Sequence, residues 1–281
     1  MAASMPLRDR LRQARAGGQA LLAANFYNSE TLRGVLEAAA ELEQPIILQL
    51  TRSSLDYLGL PVALAMGRAA IAHYGVEAWI HLDHALRVDL VGQCLEAGFD
   101  SVMIDASEAS LEANIAATRQ VVELARRTGA NVEAELGFVA KLGQEADPAG
   151  LTDPAEAERF LRETGADALA VSIGTAHGFY KAEPVLDLAR LAAIAARVPA
   201  PLVLHGGSGI SAGQVRAAVR LGICKVNVAT ESKNAFMRGV RRELLRSDDI
   251  DLRLIFPPAI ADVKALIMEK LRMFMAEADR A

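Results

Sequence analysis

The 281-residue chain holds only five histidines, at 73, 81, 84, 177 and 205. Three of them, His84, His177 and His205, fall at or just past the ends of short, apolar, β-branched runs. Imidazole is the commonest protein ligand for zinc, and a catalytic zinc typically keeps three protein ligands with a fourth position open. The three histidines meet that description if their runs are parallel strands opening on one mouth. Any one of them alone reads equally well as a hydrogen-bonded histidine beside a core. His81, inside its run, reads as structural, and His73 ends a helical stretch, where an imidazole complements the helix dipole.

Asp83 precedes His84 in HLDHA, so one neighbour can meet a metal while the other offers a carboxylate to a substrate. A carboxylate beside a divalent cation stays ionised and can act as a general base on a hydroxyl. The alternative is an Asp that caps the helix beginning near Arg87. HGGSG at 205–209 leads directly from a strand-like run into a helical stretch, and glycines let backbone N–H groups approach an anion at a helix N-terminus. Asn227 and Thr230, in NVAT at the end of the next run, add donors at the same place.

These residues must be positioned by elements, and eight apolar runs can do it: 20–25, 45–51, 78–83, 101–105, 131–137, 167–173, 201–206 and 224–229. Stretches of helical period separate them, at 29–43, 61–74, 88–97, 111–128, 154–164, 185–198 and 212–221, with 231–246 after the last. Eight strand-helix pairs predict one (β/α)8 barrel, a TIM barrel, over 1–281. The tail from Pro257 to Ala281 reads as one more amphipathic helix after a Pro-Pro stop, packed outside the barrel or closing its bottom. Two connections are long, 137–152 and 174–184, and both follow strands, on the face where barrel enzymes carry their sites.

Composition narrows the function. With 52% of residues hydrophobic and 23% charged, the chain can bury a large core. A net charge of −5, from 30 basic and 35 acidic residues, lacks the basic stripe that phosphate-backbone binding needs, so no nucleic-acid partner is expected. No apolar segment has the length of a signal peptide core or a membrane span, so no membrane partner is expected either. Cys94 and Cys224 form no CxxC pair, which fits a reducing, cytoplasmic compartment.

HLDHA, GTAHGFYK, HGGSG and KVNVATE, in that order and spacing, resemble the class II, zinc-dependent fructose- and tagatose-bisphosphate aldolases. AANFYNSETLRGVLEAAAELEQPIILQLT and VEAELG extend the resemblance over essentially the whole chain. It implies that His84, His177 and His205 bind one Zn2+ and that Asp83 is the catalytic carboxylate. Asn227 would hold the dihydroxyacetone-phosphate part of the substrate, with Asn25 and Thr51 among the other substrate-binding positions. Gly178, Gly206, Gly207, Ser208, Ala229 and Thr230 would surround the phosphate, with Lys181 nearby and a monovalent cation as a further family feature. Glu135 and Asp105 match positions that hold the metal in an alternative state or orient its ligands. Glu145 would move a proton at substrate carbon 3, although this chain reads GFVAKLGQEAD where the family has a stretch closer to GxLGGxED.

The implied reaction is reversible aldol cleavage of an open-chain ketose 1,6-bisphosphate to dihydroxyacetone phosphate and glyceraldehyde 3-phosphate. A homodimer or homotetramer is implied too. NVATE resembles the tagatose branch, whereas many fructose enzymes carry N-x-D-T-D. Arg52, just after the second run, stands where a second anionic group would lie or is a surface arginine, and DLRLIFPPAIADVK departs from the family's usual ending, so another ketose or sugar-acid phosphate stays open. Three rivals remain: a Schiff-base aldolase using Lys225, which shares the alternation of Asn227, a sugar-phosphate-binding barrel without turnover, and a different metal-dependent lyase or epimerase on the same barrel.

Overall fold

The computed structural model describes residues 5–139, 150–178, 180 and 184–275. At its centre stand eight strands, β1 (Leu21–Asn25), β2 (Ile46–Thr51), β3 (Ala78–Ala85), β4 (Ser101–Ile104), β5 (Asn131–Leu136), β6 (Ala168–Val171), β7 (Leu202–Leu204) and β8 (Ile223–Val228). Each pairs in parallel with the next, and β8 pairs back to β1 to close the barrel. The strands are buried on both faces, which is why the runs are apolar nearly throughout instead of alternating.

Around them lie α2 (Ser29–Glu41), α3 (Arg52–Leu58), α4 (Leu60–Tyr74), α5 (Val88–Ala97), α6 (Leu111–Ala125), α7 (Pro154–Thr164), α8 (Leu188–Arg197), α9 (Ala212–Arg220) and α10 (Thr230–Leu244). The architecture is the expected (β/α)8 barrel. Short polar side chains start several of the helices. Asn28 accepts from the Thr31 amide in a capping box, Ser110 accepts from Ala113, and Asp153 accepts from Ala155 and Glu156. No single helix among the described residues is long and apolar enough to cross a membrane. α3 and α4 would be long enough together, but they bend by 95°.

Three elements differ from the sequence reading. A helix precedes the barrel, α1 (Leu7–Ala16), and its Leu7 and Leu11 bury against Leu21, Ala23, Ile47, Trp79, Ala168, Ala170 and Val203 inside the strand ring. The Trp79 indole donates to the Met5 carbonyl at 2.8 Å, and the Arg15 guanidinium donates to the carbonyls of Val198 at 2.6 Å and Ala195 at 3.1 Å. This helix, not the last one, plugs the barrel bottom. The second is α3, a short helix that starts as soon as β2 ends, with the Thr51 hydroxyl accepting from the Ser54 amide.

The third is the final helix, α11 (Leu252–Arg272), which runs through Pro257 and Pro258 where a stop is expected. Each proline forfeits one helical hydrogen bond, at a cost of about 3 kcal/mol. The carbonyls left over belong to Arg253 and Leu254, both exposed and open to water. Against that cost, Ile255, Ile260, Val263, Ile267 and Leu271 are buried, and about 1.5–3 kcal/mol for each such side chain outweighs the two prolines. α11 packs on α2 and α10 in the outer layer. The approach to α10 requires glycine at 239, because a Cβ there would lie 2.6 Å from the Ala259 Cα.

Candidate active site

Strand alternation sends every second residue into the barrel. The inward positions therefore supply Asn25 from β1, Gln49 from β2, Asp83 from β3, Glu133 and Glu135 from β5, and Lys225 and Asn227 from β8, all buried. His205 follows β7 and is fully buried among them. Strict alternation would turn His84 away from Asp83 and out toward the helices. A bulge prevents this: Leu82 pairs with Val102 while Ala85 pairs with Ile104, and His84 takes φ +50°. A non-glycine residue in that region costs about 1–2 kcal/mol, and bulges of this kind re-aim side chains at functional sites.

His84 Nδ1 lies 2.8 Å from Asp105 Oδ2, and His205 Nε2 lies 2.9 Å from Glu133 Oε1. The remaining ring nitrogens, His84 Nε2 and His205 Nδ1, face each other at 2.9 Å. The His177 ring completes the set, 4.8 Å from the His84 ring and 6.0 Å from the His205 ring between centroids. One nitrogen from each of the three lies within 4.8 Å of the other two, and His84, Asp105 and Glu135 form a second such group. Histidines whose outer nitrogens rest on carboxylates and whose inner nitrogens converge are the donor set that holds a divalent ion. The residues fit such an ion.

Protonation is consistent with that chemistry. Burial, reinforced by His84 and Lys225, keeps His205 well below its ordinary pKa and therefore neutral. Burial also works against charge on His84, but Asp83 and the bond from Asp105 outweigh it and lift the group to about 9 in the metal-free chain. Burial pushes Glu135 up to about 8.

Asp83 is cradled by three amides: Asn25 donates to Oδ2 at 3.1 Å, and Gln49 and Asn227 donate to Oδ1 at 3.2 and 3.3 Å. Burial would raise its pKa, yet the pull of His84, His205 and Lys225 with the Asn25 bond holds it below the ordinary range. The carboxylate is thus ionised, and it does not cap α5, whose N-cap is Arg87. Among the described residues, the carbonyl oxygens of the same three amides are buried without partners, acceptors that a hydroxyl-rich substrate would satisfy.

Beside this cluster, the loop after β7 presents Gly206, Gly207 and Ser208, leading to α9, while Ala229 and Thr230 open α10. Gly206 has φ +67°, and a Cβ there would stand 2.4 Å from the Ala176 carbonyl oxygen. The Tyr180 hydroxyl donates to the Gly206 carbonyl at 2.8 Å and accepts from the Ala176 amide at 2.9 Å, tying the β6 and β7 loops together. Gly178 is buried in the same β6 loop. Two helix N-termini and glycine backbone meet at one corner of the mouth, as anion sites require.

The family model for class II fructose-bisphosphate aldolase matches residues 5–279. The chain belongs to the class II fructose-bisphosphate aldolase family. Among solved structures, this aldolase is similar to the YdjI aldolase from Escherichia coli K12, at 30% identity and a TM-score of 0.87 over 98% of both chains. It is also similar to a protein from Coccidioides immitis assigned as a fructose-1,6-bisphosphate aldolase, at 27% identity and a TM-score of 0.85, over 98% of this chain and 97% of that one. The fold is shared by the fructose-bisphosphate aldolase of Campylobacter jejuni, at 24% identity and a TM-score of 0.84, over 95% of this chain and 93% of that one.

Within this class II aldolase, the described residues bring together His84, His177, His205, Asp83, Asp105, Glu135, Asn25 and Asn227. Thr51 stands on the same rim, opposite Asp83 in the ladder. Glu145 and Lys181 lie outside the described residues. Lys225 is fully buried beneath the mouth, its amine 2.8 and 3.0 Å from the two Glu133 oxygens, an ion pair that leaves it unsuited to attack a carbonyl. Arg52 opens α3 and faces Asp56 at 3.3 Å on the surface. Sequence reading missed Gln49, Glu133 and Ser107, which donates to Asp105 at 2.7 Å and to Glu135 at 3.1 Å. For Gln49 and Glu133 the available signal was a polar side chain at an inward position of an otherwise apolar strand.

Proposed function

We propose that this chain is a single-domain, cytoplasmic, zinc-dependent aldolase that reversibly cleaves tagatose or fructose 1,6-bisphosphate to dihydroxyacetone phosphate and glyceraldehyde 3-phosphate. The observation that carries the reading is the juxtaposition of three converging imidazoles, His84 and His205 of them on carboxylate supports, with an ionised Asp83 held by three amides.

His84, His177 and His205 would hold the ion, and Asp105 and Glu135 would orient its ligands or hold it in an alternative position. Bound zinc supplies Lewis acidity at the ketose C2 carbonyl. Asp83 takes the proton of the C4 hydroxyl as the C3–C4 bond breaks, releasing the aldehyde and leaving the electron pair on the dihydroxyacetone-phosphate half. Glu145 returns a proton to C3. Asn25, Asn227 and Thr51 orient the sugar hydroxyls. The phosphate sits against Gly178, Gly206, Gly207, Ser208, Ala229 and Thr230, with Lys181 and a monovalent cation beside it. The subunits assemble as a homodimer or homotetramer.

A second reading, a ketose or sugar-acid phosphate with a different far end, draws on the rim. There Arg52 is exposed and, among the described residues, pairs with Asp56 at the surface, so it can turn to either a phosphate or a carboxylate. A coupled assay of dihydroxyacetone phosphate release from both bisphosphates tests the proposal. Release from either supports it, with the rate ratio choosing the substrate. No release from either, in zinc-loaded protein, moves the assignment to the second reading or to a barrel that binds without turnover.

A further inference from the structure

Below the mouth, a string of buried polar groups that the proposed reaction does not use runs up to the candidate metal ligand His205. Lys225, Glu133, His81, Ser101 and His205 are each 0% exposed, and Asn131 is 1% exposed. Their hydrogen-bond directions are forced by chemistry. The Lys225 ammonium has three donors and no acceptor. It reaches Glu133 Oε2 at 2.8 Å, Glu133 Oε1 at 3.0 Å and His81 Nε2 at 3.4 Å. His81 Nε2 must therefore accept, which puts the proton on Nδ1, 2.7 Å from the Ser101 hydroxyl. That oxygen also accepts from the Asn131 amide at 2.9 Å. On the other side, a Glu133 carboxylate with the ammonium against both oxygens can only accept from His205 Nε2, at 2.9 Å. The His205 proton is thereby fixed on Nε2, and its lone pair is fixed on Nδ1, the nitrogen that faces His84.

We propose that Lys225 and Glu133 are positioning residues that lock the tautomer of His205, so that Nδ1 alone can ligate the metal. This rests on the zinc reading above. The lysine that alternation places inside the barrel is, on this account, neither a nucleophile nor a passive core charge. It dictates, through one carboxylate, which imidazole nitrogen is free. A glutamine at 133 would reverse the instruction: its carbonyl would turn to Lys225 and its amide N–H to His205 Nε2, moving the histidine proton to Nδ1. Carboxylate supports of metal-binding histidines typically contribute 10–100-fold to affinity.

The test is competition of the full-length protein with a chromophoric zinc chelator, for wild type and Glu133→Gln, together with 15N NMR of the histidine rings in zinc-loaded wild type. The expected result is a 10–100-fold loss of zinc affinity in Glu133→Gln with an unchanged circular dichroism spectrum, and His205 ligating through Nδ1 with Nε2 protonated. Lys225→Met is expected to weaken zinc in the Glu133 background and to add nothing in the Glu133→Gln background, as a residue acting through Glu133 must. Should Lys225→Met fail to fold, because it strands a buried carboxylate, the ring assignment and Glu133→Gln decide alone. Zinc affinity within twofold of wild type in Glu133→Gln, or ligation through Nε2, overturns the proposal. Failure of wild type to take up zinc at all would instead sink the zinc reading itself.

Discussion

Asp83 can be tested apart from the metal because its three amide donors come from β1, β2 and β8, and none of them is a metal ligand. Asp83→Asn keeps the shape of the side chain and removes its basicity. The expected outcome is a fall in kcat of about 100- to 10,000-fold with zinc content unchanged. Loss of zinc together with activity would make Asp83 a support for the ion and not the base. Most of this site is legible in the sequence because imidazoles and glycines are scarce signals at strand ends. Gln49 is not, since a glutamine in a strand announces nothing until the register sets it beside His81 and one step below Thr51. His84 is legible as a candidate ligand but not as a neighbour of Asp83 on one face, because only the bulge puts consecutive residues there.

At the scale of elements, the mouth depends on loops that approach each other too closely for side chains. Gly206→Ala puts a Cβ against the Ala176 carbonyl at φ +67°, so the loop after β7 must move. The expected result is a rise of at least about tenfold in KM for phosphorylated substrates, since one phosphate contact to backbone N–H groups is worth roughly 1.5–3 kcal/mol. An unchanged KM would place the phosphate elsewhere. On the outer layer, Gly239→Val drives its side chain into α11 at Ala259 and is expected to cost about 1–3 kcal/mol, read as a lower midpoint in urea with kcat intact. The strands themselves are readable because parallel strands buried on both faces give unbroken apolar runs. The helices α1 and α3 are not so readable. The first is ten residues long and rich in arginine, and the second is seven residues long and begins without any linker after β2. The Pro-Pro pair in α11 misleads for a physical reason: local cost predicts a stop, but packing of the distal face is worth more.

For the whole molecule, charge and metal are coupled through pH. In the metal-free chain His84 is lifted from 6.5 to about 9 and Glu135 from 4.5 to about 8, so the folded state holds more protons than the unfolded one. A raised folded pKa gives stability that is fully present below the unfolded value and lost as pH climbs through the folded one. The two windows overlap between 6.5 and about 8, and there both contributions fall together. Asp83 and Asp105 are depressed and act only on the acid side. The Tm of chelated protein is therefore expected to drop across that range, and less so in zinc-loaded protein. A flat profile for the chelated chain would contradict the protonation assigned to His84 and Glu135. The central claim, that three histidines at the mouth of one barrel make the chain a metal-dependent aldolase, is tested most directly by one measurement. Dihydroxyacetone phosphate release from a ketose 1,6-bisphosphate is followed before chelation, after chelation and after zinc add-back. The account predicts release that is abolished by the chelator and restored by zinc. Release that survives complete removal of metal would contradict it.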